Sequence, residues 1–182
     1  MNTAIITVAS LVLIFLAFIV QMFIPPLAAF GDAHVILVPV FFALAALALP
    51  FPLMVGVAFY TGVLSDLVQM HFVGDQPEIG LGWSVVLYLA FGVALQGVRP
   101  MFLRGHWELH AFGSGLVTIL LLAAQFVMIS FRRLDEGFVF NEYVIWRILI
   151  PGSIAFLVSP LVYFGLRSTG LLQSGKRPTT DF

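Results

Sequence analysis

The sequence predicts an all-α integral membrane protein, a bundle of about six transmembrane helices. Two observations carry this. Of 182 residues, 61% are hydrophobic and only 9% are charged, against about 25% charged in a soluble domain. The apolar residues also fall into segments near the roughly 20 residues that a helix needs to span a bilayer. Mean hydropathy is +1.09, and no soluble domain of this length hides so much apolar surface.

The same composition excludes several classes. Net charge is −1, so bulk electrostatics gives no case for nucleic acid. There is no cysteine, which excludes disulfides, thiolate chemistry and cysteine-ligated metal.

The first segment, 4–23, lacks the basic residues of a signal peptide, and its apolar run is longer than an h-region of about 7–15 residues. We expect it to be retained as a first transmembrane helix. IPPLAAFGDAH (24–34) breaks it. The second segment, 35–49, is short and carries Pro39 early, where a helix tolerates it. Pro50-Phe51-Pro52 ends it, and this tight link makes helices two and three antiparallel neighbours. The third segment is 53–70, followed by the polar loop 71–81 with Gly, Pro and two acids. The fourth is 82–98, the fifth 109–131 and the sixth 143–166, ahead of a polar tail, 167–182. Five spans with one re-entrant segment is the competing topology.

Lys and Arg set the orientation. With six spans, Arg99, Arg104, Arg167, Lys176 and Arg177 share one side with both termini, against Arg132 and Arg133 opposite. Both termini are therefore expected in the cytoplasm. MFLRGHWELH (101–110) reads as a short interfacial hook or an ordinary loop, and 132–143 as a comparable outer stretch.

The third segment is the most informative. Gly56 and Gly62 are set into it, and Asp66 stands near its end. Gly62 and Asp66 are four apart and share a helical face. Ala58 and Gly62 form a small-xxx-small pair that admits a close helix, as do Ala90/Ala94 and Ala111/Gly115. An acid in an apolar segment is costly and points to function by default. Asp66 and Arg147 each lie about one turn, roughly 6 Å, below the outer surface, and Gln21 and Gln125 fall in the same outer half. Three readings stand open. These side chains snorkel to outer headgroups; or Asp66 pairs with Arg147 across helices three and six and fixes their register; or the group lines an outward-facing cavity for a small polar ligand.

No enzyme motif is present: no P-loop, no HExxH, no G-x-S-x-G. His106 and His110 are four apart but lack a third ligand for a metal, and we read them as interfacial polar residues. Asp32, Asp75 and Glu78 make the outer side a mildly acidic, solvated face. No cofactor is expected.

The first helix ending at Gln21, the proline-rich turn, the Gly56/Gly62/Asp66 helix and GLGWSVVLYLAFGVAL (80–95) together resemble the rod-shape-determining membrane protein MreD family, over roughly residues 15–166. There are departures. Family members often have Gly a few residues after the Asp, where this chain has Gln69 and Met70. The outer loop at 71–79 is longer. Phe51 between prolines replaces a basic residue often seen there.

The resemblance implies a non-enzymatic subunit of the bacterial cell-wall elongation complex, in the inner membrane. It implies binding to the single-span scaffold MreC, and through it links to MreB, a SEDS glycosyltransferase and a penicillin-binding transpeptidase. The family fold is similar to the substrate-binding subunits of energy-coupling-factor vitamin transporters, so a small-molecule-binding transporter subunit is the alternative. Such subunits commonly carry Ala-x-x-x-Ala in helix one, which Ala4, Ala9 and Ala17 do not match. The Gly62–Asp66 face is accordingly expected to be a helix-packing centre.

Overall fold

The computed structural model describes residues 3–28, 33–68, 72–73, 76–77, 82–132 and 142–168. Six helices follow in order: α1 (Thr3–Phe23), α2 (Val38–Ala48), α3 (Phe51–Val68), α4 (Trp83–Leu103), α5 (Glu108–Arg132) and α6 (Glu142–Ser168). Between α3 and α4, β1 (Phe72–Val73) and β2 (Gln76–Pro77) pair antiparallel, Phe72 opposite Pro77. Most of the tail, the outer acids Asp32, Asp75 and Glu78, and most of the stretch 132–143 lie outside the described residues.

Five helices are long and apolar enough to cross a membrane; α2 is shorter. At 1.5 Å per residue, its 11 residues span only about 16 Å. It is nevertheless the hub, touching each of the other five helices. Its residues are buried except for half-buried Phe41 and Ala48, which face a narrow slot between α1 and α6 lined also by Ile6, Ala9 and Leu166. The second segment is thus a core helix wrapped by the five long ones.

Polar side chains from the neighbours close the ends of α2. The amide of Gln96 donates to the carbonyls of Ala46 (2.7 Å) and Leu49 (2.9 Å), and Arg99 donates a long bond to Ala48 (3.5 Å). These are carbonyls that a helix C-terminus leaves without intrahelical partners, and the cation suits the negative end of the helix dipole. At the other end Gln21 Oε1 accepts from the Leu37 N–H at 3.3 Å. Gln21, expected as an outer polar group, is half-buried and bonded to backbone.

The fourth helix runs five residues past its expected end. Pro100 does not stop it; Phe102 continues on the helix and packs edge-on against Tyr163, centroids 5.8 Å apart. The stretch 101–110, read as either an interfacial hook or an ordinary loop, is therefore no separate element. Its first residues finish α4, and the chain turns at Arg104–Trp107 through Gly105, whose φ of 106° favours glycine. Trp107 rests on Phe164, centroids 5.5 Å apart.

Candidate functional site

Asp66 is 7% exposed, so it does not snorkel to the headgroups. Its Oδ2 accepts from the Gly82 N–H at 2.6 Å, and its Oδ1 from the Ser84 N–H at 3.2 Å. These amides open α4. Gly82 is the N-cap residue, with φ 95° and no side chain to cap the helix. The carboxylate of the preceding helix takes that role. Negative charge at a helix N-terminus is favoured by orphan N–H groups and the helix dipole together. The awkward carboxylate is thereby explained, because a buried charge is tolerable when hydrogen-bonded.

Of the three open readings, pairing with Arg147 is not what carries Asp66: its bonded partners are the α4 amides. The main packing also keeps the two helices apart, α3 on α4, α2 and α1, and α6 on α5 and α2. Arg147 is exposed and Gln125 half-buried. The α5–α6 register, read from Ser114 against Ser159 and Gly115 against Phe156, sets Arg147 level with Gln125 when carried outward.

At Gly62 the backbones of α3 and α4 are in close contact. A Cβ built there would run into the Val85 Cα and lie 2.6 Å from the Val85 N. Ala58 beside it is fully buried. Met54 continues the seam, fitting against Gly92 of α4. Gly56 does not belong to this face: it is exposed, and a Cβ there would meet nothing within 4 Å. Of the other small pairs, Ala111/Gly115 is buried, Gly115 lying against Gly152 and Phe156 of α6. Ala90 and Ala94 remain exposed on α4.

A second polar centre went unread in the sequence. His110, Ser114 and Thr118 are fully buried and spaced by four along α5. His110 is no interfacial residue, while His106 is exposed. The Val40 carbonyl lies 3.0 Å from Nε2 and can only accept, so Nε2 carries the proton; Nδ1 has no hydrogen-bond partner among the described residues. The hydroxyls of Ser114 and buried Ser159 of α6 are hydrogen-bonded to one another. The Thr118 hydroxyl donates back to the Ser114 carbonyl. The signal was the i, i+4, i+8 polar row on an otherwise apolar helix.

Among the described residues no group of His, Cys, Asp and Glu is arranged to hold a metal ion. Both polar centres bond to the backbone of a neighbouring helix, and Ser114 bonds Ser159 across α5 and α6, which suits them to fixing helix geometry. Comparison with family models, with curated proteins and with solved structures finds no match for this chain.

Proposed function

We propose that the protein is a membrane subunit of the bacterial cell-wall elongation complex, of the MreD type, and binds an MreC-like single-span protein. It acts as a scaffold without chemistry of its own, in the inner membrane with both termini cytoplasmic. Through that partner it is linked to MreB, the SEDS glycosyltransferase and the penicillin-binding transpeptidase, and so helps control peptidoglycan synthesis and cell shape.

The observation that carries this reading is the division of labour among small-residue faces. Ala58/Gly62 and Ala111/Gly115 are consumed inside the bundle, while Ala90 and Ala94 stay exposed on α4. Such a face lets a partner helix approach closely. On the same helix Trp83 and Phe91 line an apolar groove of about 600 Å³ against α5. The kinship of the bundle with vitamin-transporter subunits belongs to this proposal too. The transporter function is the weaker reading, because Asp66 and Gln21 are committed to protein backbone.

Affinity purification of the full chain from native membranes tests it. Recovery of an MreC-like single-span protein, lost in A90L/A94L, is the expected result. Recovery of an ATPase pair with a coupling subunit, or of a bound vitamin, would overturn it.

A further inference from the structure

Helix directions follow from the contacts. Gly62 meets Val85 and Met54 meets Gly92, so α3 and α4 are antiparallel. Phe42 meets Tyr88 and Ala46 meets Gln96, so α2 runs parallel to α4. With α5 and α6 following in alternation, the end of α4, the start of α5 and the end of α6 share one end of the bundle. Among the described residues that end carries Arg99, Arg104 and Arg167 against Glu108 alone.

Arg99 stands apart from the other two. Arg104 and Arg167 are exposed, whereas Arg99 is half-buried at the C-terminus of α2. Among the described residues it has one hydrogen bond, to the Ala48 carbonyl, 3.5 Å long. Its Nε is buried with no hydrogen-bond partner among the described residues. A guanidinium has five N–H donors, and taking a charge out of water without an acceptor is costly. The bond to Ala48 answers little of that demand. The α4 helix ends at Leu103, four residues or roughly 6 Å beyond Arg99, and Trp107 follows on the turn, a residue type enriched at headgroup level. An arginine about one turn from a helix end is within snorkelling reach of a headgroup phosphate.

We propose that Arg99 is the anchor of a binding site for an anionic phospholipid, its guanidinium donating to the lipid phosphate, with Arg104 and Arg167 supplying the field around it. Arginine pairs with phosphate through charge-assisted, often bidentate hydrogen bonds. The net positive charge of this end complements an anionic headgroup, and each cation near a membrane surface adds to that attraction. The lipid phosphate also joins the Gln96–Arg99 clamp on α2, so occupancy steadies the central helix.

Native mass spectrometry of the full chain from nanodiscs holding equal phosphatidylglycerol and phosphatidylcholine tests this. The wild type is expected to retain phosphatidylglycerol in preference, and R99Q to lose about fivefold of that preference, with R99K losing less and R104Q and R167Q least. Equal retention of the two lipids by the wild type would overturn the proposal, as would an unchanged preference in R99Q. Full displacement of phosphatidylglycerol by millimolar inorganic phosphate would show a simple anion site and also overturn it. Should R99Q fail to fold, phosphatidylglycerol with a photoreactive headgroup decides on the wild type: adducts within 96–104 support the site, and adducts only elsewhere refute it.

Discussion

Asp66 and Gly82 are joined across the connection between α3 and α4: the carboxylate of one lies 2.6 Å from the backbone N–H of the other. A residue in one helix thereby caps the next. Because Gly82 has no side chain with which to do so, the start of α4 depends on α3. Replacing Asp66 strands the buried Ser84 N–H, at about 1–3 kcal/mol for an unsatisfied group, and frees the part-buried Gly82 N–H. D66N keeps one amide oxygen as an acceptor, and D66A keeps none. We expect both to lower stability in equilibrium unfolding from detergent micelles, D66A more. A D66A protein as stable as wild type would refute the cap.

The separation of Asp66 from Arg147 gives a prediction that the pairing idea does not share. Residues without shared partners add within about 0.3–0.5 kcal/mol. The stability losses of D66N and R147Q should therefore sum in the double variant. A double variant no worse than either single would restore the ion pair.

Gly62 and Gly56 lie on one helix and should respond oppositely. G62A drives a methyl group into the backbone of Val85, and such overpacking costs about 1–3 kcal/mol. G56A meets nothing within 4 Å and gains helix propensity, up to about 1 kcal/mol. Thermal unfolding in detergent reads both. If G62A is neutral, α3 and α4 do not touch backbone to backbone there.

Gln96 holds the carbonyls of Ala46 in α2 and of its C-cap residue Leu49. Q96L removes both bonds while keeping the volume, and we expect a loss of about 1–3 kcal/mol, with amide hydrogen exchange rising first in α2. Exchange rising elsewhere instead would place the weak point outside the hub.

Ser114 and Ser159 bond α5 to α6. Interhelical hydrogen bonds in membranes average about 0.6 kcal/mol in double-mutant cycles. The cycle of S114A and S159A should return a coupling near that size, and zero coupling would remove this bond from the list of register-setting contacts.

Much of the fold was legible because the bilayer imposes it. Apolar length marked the five long helices, and turn chemistry at Pro50-Phe51-Pro52 placed the second break. Residues 109–131 and 143–166 were expected as helices, and α5 and α6 occupy them with one or two further residues at each end. Helix ends were less legible. The fourth segment was expected to end at residue 98, yet α4 continues through Pro100 to Leu103, where Phe102 packs on Tyr163. The candidate site was half legible. Gly62 and Asp66 were marked by type and spacing, but Asp66 had no readable partner, since backbone N–H groups carry no letter in the sequence.

What the sequence alone determined is which segments leave water and which residues within them are too costly to be idle. Hydrophobic length and the cost of burying charge are local properties, so they can be read one segment at a time. Only the tertiary structure decided who satisfies whom. It put the shortest helix at the centre, gave Asp66 to the head of α4 instead of to Arg147, turned His110 inward, and left Ala90 and Ala94 facing out. Those outcomes depend on which helix stands beside which, and that order is set by summed packing over all six helices.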